Sequence, residues 1–323
     1  MYRMIRRNAP AALAAAFLAS AAQPAYACAS CGCTLTADWL SQGLAAQPGT
    51  TLSLRYDFVP QTTLQSGTRK VDFGAIALPS DREIERYTYN HSLTATLDHQ
   101  FANDWGIDVQ LPLLTRPHNT FAEDTTEPSY SDTRGIGDMR VVGRWQGLSR
   151  PGSVTGIEAG VVLPTGKFRQ TFKSGPEQGD EVDRGLQPGT GTVQAVLGGY
   201  HLGPVTPELG YFVQVTGQKA IDERAGYRPG SFVQASAALN LTRWRNVTPQ
   251  LQISYRHTWR DSGRAADRPN SGGDQVNLAP GLSAKLGSRA VGFAYAEVPI
   301  HNRVNGYQLV PKAKLSAGVL FHL

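Results

Sequence analysis

The chain has 323 residues, 31 basic and 26 acidic side chains, a net charge of +5 and a mean hydropathy of −0.29. Outside the first 27 residues no apolar run approaches the roughly 20 residues that a membrane helix needs, which excludes a helical membrane protein. Arg3, Arg6 and Arg7 carry three of the five excess charges; without them 28 bases face 26 acids, and no basic run remains of the kind that binds nucleic acid.

The N-terminus reads as an export signal. Three arginines precede a small apolar stretch from Ala11 to Ala22, and Ala25-Tyr26-Ala27 has the small-x-small form of a cleavage site. Residues 1–27 are set aside as a signal peptide, and the chain is expected to be exported. Cleavage there leaves Cys28 at the start of "CASCGC", which holds every cysteine of the chain: Cys28, Cys31 and Cys33. In an exported protein these thiols meet an oxidising compartment. Three readings stand side by side. One is a disulfide with one thiol left over. A second is lipidation of Cys28, although Ala25 and Tyr26 depart from the usual Leu-and-small pattern before a lipidated cysteine. The third is soft-metal capture, Cu(I) or Zn²⁺, by Cys28, Cys31 and Cys33. Tetrahedral zinc needs a fourth ligand, and strand parity offers His322 from the far end of the chain. Residues 34–50 follow, with Leu40 and Leu44 at helical spacing. The whole segment 28–50 is expected at the periplasmic mouth or in the lumen of what comes next.

From residue 51 onward the period is two. In "TLSLRYDF" Leu52, Leu54, Tyr56 and Phe58 share one face, while Ser53, Arg55 and Asp57 share the other. "WGIDVQLPL" (105–113) and "LQISYRHTW" (251–259) alternate in the same way. Twelve such segments are predicted, near 51–59, 87–98, 105–113, 138–146, 153–163, 191–202, 205–216, 231–243, 248–260, 275–286, 290–300 and 308–323. Most run about ten residues, the length of a tilted membrane strand. Their links alternate between short ones (99–104, 147–152, 203–204, 244–247, 287–289) and long polar ones (60–86, 114–137, 164–190, 217–230, 261–274, 301–307). That rhythm is the arrangement of an outer-membrane barrel, with short periplasmic turns and long external loops. A β-sandwich also alternates but has no reason to sort its loops by length. A propeller needs a repeat near forty residues, and none is seen. Aromatics near strand ends, including Tyr56, Phe58, Trp105, Trp145, Tyr200 and Trp259, read as interfacial girdles. The fold class is therefore all-β: an antiparallel transmembrane barrel of about twelve strands over 51–323.

"GIGDMRVVGRW" (135–145) resembles the Gly-x-Gly-Asp strand opening of outer-membrane proteins of the MetA-pathway, or phenol-degradation, type. The leader and the terminal strand "KLSAGVLFHL" fit the same family. The resemblance implies an outer-membrane channel or transporter and carries no catalytic residues.

Parity assigns the polar faces to the lumen. The predicted lining charges are Arg55, Asp57, Asp98, Asp108, Arg140, Arg144, Glu158, Glu208, Arg256, Lys285, Lys312 and Lys314, with Asp138 among the anions. Mixed signs predict no strong ion preference. An open lumen and a plugged one both satisfy this pattern. The partners expected are outer-membrane lipid, lipopolysaccharide and a small solute, with a homo-oligomer as one arrangement of the barrels. Metal or thiol chemistry at the cysteines is the alternative function, and a structural or adhesive barrel is the third. No enzyme is expected: no Gly-x-Ser-x-Gly elbow occurs, and His91 and Ser92, adjacent in a strand, point to opposite faces. The acidic, Gly-rich stretch 175–183, "GPEQGDEVD", is read as a solvated external loop with a Ca²⁺ site as its alternative.

Overall fold

The computed structural model describes residues 48–323. In chain order the strands are β1 (Gly49–Gly67), β2 (Arg69–Lys70), β3 (Ile84–Gln100), β4 (Trp105–Phe121), β5 (Pro128–Ile136), β6 (Met139–Trp145), β7 (Val154–Leu163), β8 (Gln194–Thr206), β9 (Leu209–Ala220), β10 (Phe232–Leu241), β11 (Val247–Thr258), β12 (Gly273–Lys285), β13 (Ala290–Pro311) and β14 (Lys314–His322). Neighbours pair antiparallel in sequence order, and β14 closes onto β1, with Leu52 opposite Phe321 and Phe58 opposite Leu315. β2 is a flap on the end of β1. β5 and β6 are two halves of one wall strand, because both pair with β4, at 113–121 and 105–110 respectively. The wall is thus a closed barrel of twelve antiparallel strands.

The barrel is built inside out relative to a water-soluble protein. Along β11, Leu251, Ile253 and Tyr255 are 46%, 46% and 44% exposed, while Gln250, Gln252 and Ser254 between them are 6%, 2% and 3%. The same inversion recurs on β9, where Val213 and Val215 are exposed and Phe212 and Gln214 are buried. Together with Leu54, Leu97, Leu113, Ile157 and Leu197 these outward side chains form an apolar belt around the wall. A belt of that extent is stable only in contact with lipid. Trp105 and Trp145 face each other across the β4–β6 ladder, ring centres 6.5 Å apart, and mark the rim at the short-turn end.

Links of 101–104, 146–153, 207–208, 242–246 and 286–289 lie at the end where β1 begins and β14 finishes. The long links 68–83, 164–193, 221–231 and 259–272 lie at the other end. The sorted-loop expectation holds, but the strands outrun their expected limits. β1 continues to Gly67, β4 to Phe121 and β9 to Ala220, and 128–136 of the expected loop 114–137 is strand. These extensions are mostly polar, with Leu64, Leu114 and Phe121 too sparse to set an apolar period. The turn expected at Gly203-Pro204 lies at 207–208 instead, since the β8–β9 ladder runs past Pro204.

Two breaks shape the wall. Between β5 and β6 the chain kinks at Gly137-Asp138, where the Gly137 amide donates to the Pro112 carbonyl at 2.8 Å. A Cβ on Gly137 would stand 2.9 Å from Pro112 Cγ and 3.2 Å from the Pro188 carbonyl, so only glycine lets the wall and an external loop approach there. In β13 the chain reverses at Gly306, φ +57°, and 307–311 run back down beside β1 to lead into β14.

Candidate functional site

The inward faces of the strands form a lumen lined by polar groups whose charges are held in pairs. Arg55 Nε donates to Asp57 Oδ2 at 2.8 Å, and Ser316 Oγ donates to Asp57 Oδ1 at 2.5 Å. Arg144 on β6 reaches Asp98 on β3 at 2.5 Å. Lys314 and Glu297 meet at 2.8 Å with both side chains sealed from water. Glu158 on β7 accepts from Thr216 Oγ1 at 2.6 Å and from Gln214 Nε2 at 3.3 Å, both two strands away on β9. Arg140 donates to Gln218 Oε1, Asp108 accepts from Gln110 Nε2, and the Arg256 guanidinium lies 3.7 Å from the Phe232 ring centre.

Three predicted lining residues lie elsewhere. Glu208 sits exposed in the β8–β9 turn. Lys285 has lining parity but ends its strand, exposed at the short-turn rim. Lys312 falls in the break between β13 and β14, where the two-residue period lapses. It is exposed and lines a surface pocket of about 340 Å³ with Lys70 and His301. His322 is exposed at the short-turn rim. Cys28, Cys31 and Cys33 lie outside the described residues, as do the signal peptide and residues 34–47. Among the described residues no three His, Cys, Asp or Glu side chains are arranged to hold a metal ion.

Aromatics also point inward, which the girdle reading missed for Tyr200. Tyr200 is 4% exposed, packs with Phe212 and Ala238, and its hydroxyl accepts from Gln146 Nε2 at 2.9 Å. On β13, Phe293 and Tyr295 face in against Ala279, and the Tyr295 hydroxyl donates to Gln250. Both faces of these strands carry apolar residues, so parity alone leaves their inward side ambiguous.

The outer half of the lumen is occupied by the 164–193 loop, which folds inward as a lid. Arg116 and Thr133 belong to the inward faces of β4 and β5. Arg116 Nη1 donates to the Gly185 and Gln187 carbonyls at 3.1 and 2.8 Å, and Thr133 Oγ1 donates to the Leu186 carbonyl at 2.6 Å. Leu186 and Val182, each 1% exposed, bury with Phe172 in a small apolar core. Asp138, the aspartate of "GIGD", fastens both ends of the loop: it accepts from the Gly166 amide at 3.1 Å, the Thr190 amide at 2.8 Å and the Thr190 hydroxyl at 2.7 Å. The Arg184 guanidinium sits 4.3 Å from the Phe168 ring and 5.0 Å from the Tyr227 ring and donates to the Thr190 carbonyl, tying the lid to the 221–231 loop. Tyr227 in turn donates to Asp261 at 2.9 Å.

The stretch 175–183 is therefore not wholly solvated, because its end turns into this lid. Burial, reinforced by Glu83, Asp267 and Glu85, raises the Asp183 carboxyl well above the usual carboxylate range. Burial pushes Asp267 up to about 6 against hydrogen bonds from Asn270. Burial likewise raises Asp261, opposed by the Gly230 amide and the Tyr227 hydroxyl. Sequence reasoning singled out Asp183 only as part of 175–183 and did not single out Asp261 or Asp267, since the three converge from separate loops.

Comparison with solved structures places the fold. An outer membrane channel from Pseudomonas putida F1 superposes with a TM-score of 0.64 at 10% identity, covering 86% of this chain and 97% of that one. The transport unit of the autotransporter AIDA-I from Escherichia coli superposes at 0.51 and 10% identity, covering 88% and 95%. The architecture is that of the bacterial outer-membrane β-barrels. No family model and no curated protein matches the sequence, so the phenol-degradation family is not confirmed.

Proposed function

We propose that the protein is a bacterial outer-membrane channel that passes a small polar solute through a lumen of paired charges, under an external lid. The observation that carries this reading is the inversion of the wall: an apolar belt outside, buried polar and charged side chains inside, on a closed barrel. A purely structural barrel has no need of an inward-folded loop clasped at both ends by Asp138. Pairs of opposite sign favour no ion strongly, so neutral and zwitterionic solutes are the class expected to pass. Swelling of liposomes that contain the purified protein tests this. Small neutral sugars should enter faster than into protein-free liposomes; equal rates for every solute tried would refute the channel.

The N-terminal cysteines support a second, separable role. β1 begins at Gly49 on the short-turn rim, beside the end of β14, and "CASCGC" precedes it in the sequence. Soft-metal capture there is tested by the copper and zinc content of the protein against a triple Cys→Ser variant, and equal content removes the reading.

A further inference from the structure

The acids at the outer mouth are buried beyond what their charge permits. Glu85, at the outer end of β3, is 0% exposed, and neither of its carboxylate oxygens has a well-formed hydrogen bond, although the Leu309 backbone faces it. Asp183 Oδ2 and Glu177 Oε2 on the lid and Asp267 Oδ2 on the 259–272 loop are equally sealed and unbonded. With Glu83, two residues before Glu85, these groups come from three separate segments and lie close enough to repel one another. Burial of several like charges is strongly unfavourable unless something neutralises them.

The cations at this end have bonding partners of their own. Arg184 stacks on Phe168 and Tyr227, and Arg116 donates to lid carbonyls. Arg82 bonds Asp81 and covers Tyr307; Arg86 covers Phe121; Lys173 bonds Asp132. On the β4 wall, His118 packs on Phe172 with Nδ1 on Thr88. Asp261 bonds Tyr227 and the Gly230 amide. Direct metal ligation has no suitable set of three among the described residues. Protons are the neutraliser that fits so closed a space.

We infer that Glu85, Asp183 and Asp267 form a proton latch: protonated, they hold the 164–193 lid against the β3–β4 wall, and ionised, they drive it off. The inference rests on the channel reading for its consequence but not for its test. Asp267 ionises near pH 6, and burial among the other acids raises Asp183 well above the usual carboxylate range. The lid is therefore shut in acid and released as pH rises.

The test follows hydrogen exchange of the full-length protein in micelles at pH 5 and pH 8, corrected for the chemical rate. The amides of Val182, Leu186 and Gly189, which bond to Gln170, Asp183 and Lys167 carbonyls, report the lid. Their corrected exchange should be at least tenfold faster at pH 8. In a Glu85→Gln/Asp183→Asn variant the difference should vanish, with the lid protected at both pH values. Asp267→Asn alone should shrink the difference and gives a second variant should the first fail to fold. Equal protection at both pH values in the wild type, or an undiminished difference in the variants, overturns the latch. Conductance in planar bilayers separates the two readings: a pH-dependent lid on a silent barrel keeps the latch and removes the channel.

Discussion

Lys314 Nζ lies 2.8 Å from Glu297 Oε1 on the adjoining strand, with the two side chains 1% and 3% exposed. The pair lies on the β13–β14 ladder, one strand in from the β14–β1 closing seam, across which β1 contributes the Arg55–Asp57 pair. Its burial makes it a sensitive joint rather than a large source of stability. Removing one partner takes the close counter-charge away from a buried ion.

Glu297→Ala should therefore destabilise the barrel by about 3–5 kcal/mol, whereas replacing both partners by Met should cost much less. Urea unfolding in detergent micelles, followed by heat-modifiable gel migration, measures both. A single variant as stable as the double one would show that the pair carries no buried charge.

The apolar belt gives a second expectation. Leu251→Arg places a charge on the lipid face of β11, where Leu251 is 46% exposed. Near the bilayer midplane the cost should be about 2–4 kcal/mol. Folding into lipid vesicles against denaturant reads it, and a neutral effect would mean that this face does not meet lipid.

Asp138 should govern the lid. Asp138→Ala deletes the acceptor of the Gly166 amide and of the Thr190 amide and hydroxyl. Bonds to a charged group contribute about 1.5–3 kcal/mol each, so the local stability of the lid should fall by about 3 kcal/mol or more. Limited proteolysis at Lys167, Arg169 and Lys173 should accelerate, while the wall resists. Unchanged cleavage would show that the loop is held by other means.

The pH dependence follows from Asp267. Its carboxyl titrates at about 6 in the fold against 3.8 for the free group, so the native state binds the extra proton between those values. Stability contributed by this site is fully present below about pH 4 and is lost as pH rises through about 6. The loss should amount to roughly 2–3 kcal/mol of local stability in the outer loops, and Asp267→Asn should abolish it. Hydrogen exchange of the 259–272 amides across pH 4 to 8 checks the sign; stability that rises with pH there would contradict it.

Much of the wall was legible in the sequence, because strand parity is a local property. Leu251, Ile253 and Tyr255 declare their lipid-facing side without reference to any other strand. Lumen pairs were half legible: Lys314 was placed inside, but Glu297 was not, since it shares its face with Phe293 and Tyr295, which break the polar-inward rule. Lys312 was misplaced because the break before β14 shifts the period. The lid was invisible, since its inward fold depends on Arg116, Thr133 and Asp138 meeting backbone groups some 25 to 70 residues away in sequence. Glycine and aspartate in "GIGD" were recognised as a motif, yet their work, admitting Pro188 and clasping Thr190, appears only in three dimensions.

Single-channel recording of the full-length protein in planar lipid bilayers near neutral pH tests the channel most directly. Discrete conductance steps are expected, weak in ion selectivity and larger in Asp138→Ala than in the wild type. A folded, heat-modifiable barrel that leaves the bilayer silent in both forms would contradict the channel.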